Sequence, residues 1–210
     1  IDLAIGSSIN WSSQVKPLNL FSLPFLADDF ADVDAIKSGA AGTDIFAAIE
    51  KAGVVPLAWG ENGFRELSNS KRPVRTPADL HGLKIRVVGS PIFIDTFAAL
   101  GANPTPIAFS ELYLALATGV VEGTKNSIQD IVGMRLEEHV KYVTVDNHAY
   151  MGAMWWFSEK SWQAVPDDLR PIIEEGFREL QHITRTVPKE RQAEAFERFR
   201  ARGGRIHVPS

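Results

Sequence analysis

Leu83-Lys84-Ile85-Arg86-Val87-Val88, followed at once by Gly89-Ser90-Pro91, is the stretch that fixes the fold class. Alternation over 83–88 predicts a strand with Leu83, Ile85 and Val87 on one face and Arg86 on the other. Ser90 and Pro91 form an N-cap and first-turn pair, opening a helix with Phe93, Ile94, Phe97 and Leu100 on its apolar face and Gly101 as its stop. Upstream, Thr76-Pro77-Ala78-Asp79-Leu80 opens one short helical turn that Gly82 ends. Downstream, Pro104-Thr105-Pro106-Ile107 reads as extended, and Ser110 as the N-cap of a helix over 111–118 closed by Gly119.

The same alternation continues outward. A strand over 1–6 leads into a Pro-punctuated loop between Pro17 and Pro24, then helices at about 32–36 and 42–52, the second stopped by Gly53. Val54–Trp59 reads as a strand, with Pro56 favouring an edge or strand start, and residues 60–65 read as a turn. Strands at about 140–145 and 149–158 precede a long helix over 167–186, a break or kink at Pro188, a further helical stretch over 190–202, and the start of a strand at Arg205. Strands separated by helices imply an α/β architecture with largely parallel sheets. Two lobes are expected, the first from 1–63 and 150–188, the second from 64–149 and 189–210. The opening Ile1-Asp2-Leu3 carries neither a starting Met nor a signal peptide, and is read as the interior of a longer protein.

Composition narrows the function classes. With 22 Lys plus Arg against 26 Asp plus Glu in 210 residues, the net charge is −4, without the basic footprint of a non-specific nucleic-acid binder. No run of about 18 uncharged apolar residues occurs, so no direct membrane insertion is expected. Cys is absent, which removes disulfides, thiolate nucleophiles and Cys-ligated zinc. The five His residues are scattered without metal-ligand spacing. Gly6-Ser7-Ser8 lacks the second Gly of a nucleophile elbow, and Ser38–Thr43 lacks the Lys of a phosphate loop. No enzyme, metal or cofactor is expected.

Arg86 stands apart. It lies two residues short of the strand's carboxyl end, where ligands sit in open α/β sheets, beside the N-terminus of the next helix. A guanidinium there can grip a carboxylate through two parallel charge-assisted hydrogen bonds, with Gly89 and Ser90 offering backbone beside it. On these residues alone the alternative is a surface Arg paired with an Asp. Arg65, after the turn Glu61-Asn62-Gly63-Phe64, is a second cation; Phe109 is a pocket wall or a staple on its helix; Asn126 sits in a turn after Val120-Val121. Trp155-Trp156 reads as core or hinge packing.

Taken together, Gly63-Phe64-Arg65, Ser68–Val74, Asp79–Val87, Leu100–Pro106 and Phe109–Gly123, with Leu23-Pro24-Phe25-Leu26 and Asn147-His148, resemble the solute-binding subunits of TRAP (tripartite ATP-independent periplasmic) transporters. The resemblance implies a two-lobed, type II-like periplasmic binding-protein fold, lacking here an N-terminal strand-helix-strand and a C-terminal end. It implies a periplasmic receptor that closes by a hinge over a small organic acid and delivers it to a TRAP membrane permease. It makes Arg86 the carboxylate clamp and Arg65, Asn126 and Phe109 further ligand contacts, with Ser7 contributed by the first lobe. Members of the family often carry Glu just before that Asn; here Lys125 stands in its place. If Lys125 faces the pocket it favours a more anionic ligand and argues against a metal-assisted site; if it faces solvent it means little. A cytosolic carboxylate-sensing domain and, behind it, an α/β enzyme are the alternatives.

Overall fold

The computed structural model describes residues 1–209. The chain divides into two compact units: unit 1 holds 1–63 and 150–189, unit 2 holds 64–149 and 190–209 of the described chain.

In unit 1, strand β1 (Leu3–Ser7) runs antiparallel to the later part of β6 (Tyr142–Ser158), with Ile5 opposite Trp155 and Ser7 opposite Ala153. Helix α1 (Phe30–Ser38) is capped by Asp29, whose carboxylate accepts from the amides of Ala31 and Asp32. Helix α2 (Ala40–Glu50) buries Ile45 and Ile49 one turn apart. The stretch expected as a loop from Pro17 is a 3-10 turn, Lys16–Ser22, that buries Leu18 and Phe21 while leaving Leu23 and Phe25 exposed. Phe21 packs edge-on against Trp59 and Tyr150, and Trp11 against Trp156, so this core is aromatic. Trp156 is buried in it, and its neighbour Trp155 lies against Phe177.

Unit 2 is organised by the strand quoted first. Thr76 and Asp79 form a capping box around Pro77–Leu80, and β3 (Lys84–Val87) follows. Ser90 and Pro91 open α3 (Pro91–Ala99), and β4 (Asn103–Pro106) returns parallel to β3, a compact βαβ unit. Gly101 joins the last two with φ 79°, a backbone that L side chains resist, and a Cβ there would press on the His81 ring. On its other side β3 pairs parallel with β5 (Gly123–Asn126), which pairs antiparallel with the end of β2 (Val54–Asn69). The core behind them joins α4 (Leu112–Ala117), α5 (Ile128–Gly133) and the start of β6 with Ala195 and Phe199 of α7 (Arg170–Ala201). The terminal strand β7 (Arg205–His207) pairs parallel with β6, and α6 (Glu159–Gln163) belongs to unit 1.

Several sequence expectations are corrected. The strands are mixed, with β1–β6 and β2–β5 antiparallel, because strand-helix alternation reports local crossovers and not the direction of strands distant in sequence. Residues 60–65 continue β2 instead of turning, Gly63 absorbing the irregularity at φ 79°. The two strands expected around 140–158 are one, with Asn147 at φ 46°, a left-handed conformation that Asn tolerates. Helix α7 runs through Pro188: a missing amide removes one intrahelical bond, and beyond it burial of Ala195 and Phe199 holds the next turns. Ser110 makes no side-chain cap; a 3-10 turn at Phe109–Glu111 leads into α4.

Candidate functional site

Three neighbouring strands of unit 2 bring together residues that lie far apart in sequence. Arg86 comes from β3, Arg65 from β2, and Lys125 and Asn126 from β5, while Asp130 projects from α5 directly after. The sheet register sets Arg86 beside Thr124 and Glu66 beside Asn126. Asn126 therefore ends a strand and is not in a turn, since pairing with both β2 and β3 keeps the backbone extended.

Asp130 is the hub. Its Oδ2 accepts from Arg65 Nη1 at 3.1 Å and from Asn126 Nδ2 at 2.9 Å. Arg65 Nη2 also donates to the carbonyl of Lys125 at 3.2 Å, and the Asn126 side-chain oxygen accepts from Thr124 Oγ1 at 2.7 Å. Arg65 and Asn126 are thus held by the protein itself.

Arg86 is different. It is 3% exposed, and its Nε donates to the Ile107 carbonyl at 2.8 Å. Among the described residues that carbonyl is its one acceptor, and no carboxylate pairs with it, so both terminal nitrogens of the fork stay unspent. Burial and the like charge of Arg65 press its pKa down to about 10, with Asp130 opposing them. A buried guanidinium with two unused donors has the hydrogen-bonding geometry that a carboxylate can satisfy. The alternative of a surface Arg paired with an Asp does not describe it.

The remaining expected residues fall as follows. Phe109, 43% exposed, lies with its ring centroid 5.8 Å from the Arg86 guanidinium. Gly89 has open space where a Cβ would stand, and Ser90 is buried with its hydroxyl unpartnered. Ser7 belongs to unit 1, where its hydroxyl accepts from Asn62 Nδ2 at 3.0 Å.

Sequence reasoning did not single out Asp130 or Glu66. Glu66 is 1% exposed, and burial raises its pKa to about 8, against the opposing pull of Arg65 and the Ile128 amide. It left the orientation of Lys125 open; the side chain is 1% exposed, so it does not face solvent. Nor did it point to a polar cluster in unit 1, where a cavity of about 180 Å³ is lined by Asp34, Lys37, Trp59, Glu61, His182 and Arg185 among others. There Lys37 donates to the Tyr150 hydroxyl at 2.7 Å, and Arg185 is paired with Glu61 and Asp34. These cations are internally satisfied, as in a structural network, whereas Arg86 is not.

Among the described residues no group of His, Cys, Asp and Glu is placed to hold a metal ion, and no helix is long and apolar enough to cross a membrane.

A TRAP periplasmic solute binding protein from Ralstonia eutropha H16, solved with bound (S)-2-acetolactate, is 41% identical and superposes with a TM-score of 0.97 over 100% of this chain and 68% of its own. One from Sulfurospirillum deleyianum, solved with succinate, is 31% identical with a TM-score of 0.93, over 100% of this chain and 69% of its own. The C4-dicarboxylate-binding periplasmic protein DctP of Rhodobacter capsulatus is 32% identical over 90% of this chain and 56% of its own length. Across four curated relatives the chain spans 37% to 62% of their lengths. The model of the DctP family, described as bacterial extracellular solute-binding protein, family 7, matches residues 1–210, and the chain belongs to that family of solute receptors.

Proposed function

We propose that the protein is an extracytoplasmic, periplasmic solute receptor for a small organic acid, that Arg86 holds the acid's carboxylate, and that the loaded receptor delivers it to a TRAP membrane permease. The observation that carries this reading is the buried Arg86 fork with two unspent donors. Arg65 and Asn126, fixed by Asp130, present a second cation and a polar edge beside it, and Phe109 offers an aromatic wall. The organic acids bound by the Ralstonia and Sulfurospirillum proteins support the ligand class. Ser7, Gly89 and Ser90 are assigned lesser polar contacts. Hinge closure on binding, as the resemblance implies, belongs to the same proposal, and a fall in radius of gyration by solution scattering checks it.

Calorimetric titration with succinate and with (S)-2-acetolactate tests the clamp. Arg86→Ala is expected to cost about 2–5 kcal/mol, the range for removing one partner of a desolvated charge pair. Arg86→Lys fails as well, because an ammonium cannot reproduce the planar fork. Near-native affinity in Arg86→Ala overturns the assignment.

A further inference from the structure

Lys125 presents a problem of charge that the protein leaves open. Its side chain is 1% exposed, and Nζ finds no hydrogen-bond acceptor. It lies 2.7 Å from the centroid of the Phe93 ring on α3, which offers a π face but no counter-ion. The backbone of Lys125 is pinned, because its carbonyl accepts from Arg65.

The ionisable groups on the surrounding elements are as follows. β2 brings Arg65 and Glu66, β3 brings Arg86, and α5 brings Asp130, whose carboxylate is taken by Arg65 and Asn126. From β6 come Asp146 and His148, paired with each other at 3.0 Å. The acid on α3, Asp95, is exposed. None of these carboxyl groups hydrogen-bonds Nζ. Arg65 and Arg86 both act against the charge of an amine that is buried, cationic by nature and without a hydrogen-bond acceptor, the reverse of how proteins ordinarily treat a buried charge.

We propose that Lys125 is a further specificity-determining residue of the Arg86 site, charged only when the site is occupied: the bound acid is the counter-ion the protein withholds, and a proton from solution is taken up onto Nζ with it. This rests on the reading of Arg86 as the carboxylate clamp. Burial together with Arg65 and Arg86 holds the amine well below the ordinary Lys value of 10.5. An anion beside the guanidiniums cancels their field and adds an attractive charge, both of which favour the ammonium. By linkage, a site that gains a proton on binding must bind its acid more weakly as the pH rises. Lys125 is thereby a charge that the ligand switches on.

The experiment is titration calorimetry near neutral pH with succinate and with (S)-2-acetolactate, in phosphate and in Tris, whose protonation enthalpies differ widely. Wild-type protein is expected to give a buffer-dependent heat corresponding to net proton uptake. Lys125→Met abolishes that uptake and weakens binding by about tenfold or more, the scale of one charge-assisted hydrogen bond. Lys125→Gln does the same with a polar end retained, so a packing defect in one variant is not mistaken for the effect. Glu66→Gln, which removes the other shifted group nearby, leaves the uptake in place. Buffer-independent heats in the wild type, or uptake that persists in Lys125→Met, overturn the proposal. Arg86→Ala separates the two levels: if it binds like wild type, or if neither acid binds the wild type, the reading of the site falls and this inference with it. If Arg86→Ala loses binding while both Lys125 variants behave as wild type, the role of Lys125 alone is refuted.

Discussion

Glu66 offers a quantitative test of how the strands of unit 2 are assembled. Its carboxyl lies on β2 across from Asn126, 1% exposed, with Oε2 unpartnered. Burial raises its pKa from 4.5 to about 8; Arg65 and the Ile128 amide pull the other way, while Asp146 and Asp130 add to the rise. Between those two values the folded protein keeps a proton that the unfolded chain has shed. The folded state binds more protons, so stability falls as pH rises across that window and is fully retained below 4.5. Each pH unit is worth about 1.4 kcal/mol, so the interval of about 3.5 from 4.5 to about 8 corresponds to at most about 5 kcal/mol. Glu66→Gln has no proton to lose. Wild-type unit 2 is expected to lose about 1.4 kcal/mol per pH unit across the window from this group, and the variant to lack that component. All five Trp lie in unit 1, so fluorescence does not report on Glu66's own unit. Hydrogen-exchange protection of peptides covering 64–69 and 123–132, measured across denaturant at several pH values, does. Parallel pH profiles for wild type and Glu66→Gln would refute the burial argument.

Three further outcomes are open to measurement. Gly123→Ala places a Cβ against the Ser68 carbonyl, with Asn69 Cβ and Ile85 Cδ1 each at 2.9 Å; backbone cannot step aside, so a loss of about 1–3 kcal/mol is expected in chemical denaturation, and wild-type stability would sink the β2–β5 register. Phe199→Ala empties a fully buried position of the unit 2 core and should cost about 3–5 kcal/mol, read in the same melts; a loss under 1 kcal/mol, by contrast with that range, means Phe199 is not packed there. Stability melts of Lys125→Met should show an unliganded protein at least as stable as wild type, because an unpaired buried amine has been replaced by an apolar chain of similar length; marked destabilisation would mean the amine has a protein partner.

What was legible in the sequence was local. The β3–α3–β4 unit follows from alternation over 83–88, the Ser90-Pro91 start and the Gly101 stop, all within about twenty residues of one another. Arg86 was conspicuous because a long cation interrupts an apolar strand near its carboxyl end. Where local signals misled, a distant partner overruled them: residues 60–65 look like a turn until β2 is seen to run on to its pairing with β5, and Pro188 looks like a break until the burial of Ala195 and Phe199 beyond it is counted.

The sequence by itself therefore determined the α/β class, the family likeness and the presence of a guanidinium at a strand end, because each depends on neighbours close along the chain. Only the tertiary structure decided that Arg86 keeps two donors unspent, that Asp130 is consumed by Arg65 and Asn126, and that Lys125 is enclosed without a counter-ion. Charge pairing and burial depend on which groups meet across sixty residues of chain, as Arg65 and Lys125 do, and no local pattern encodes that meeting.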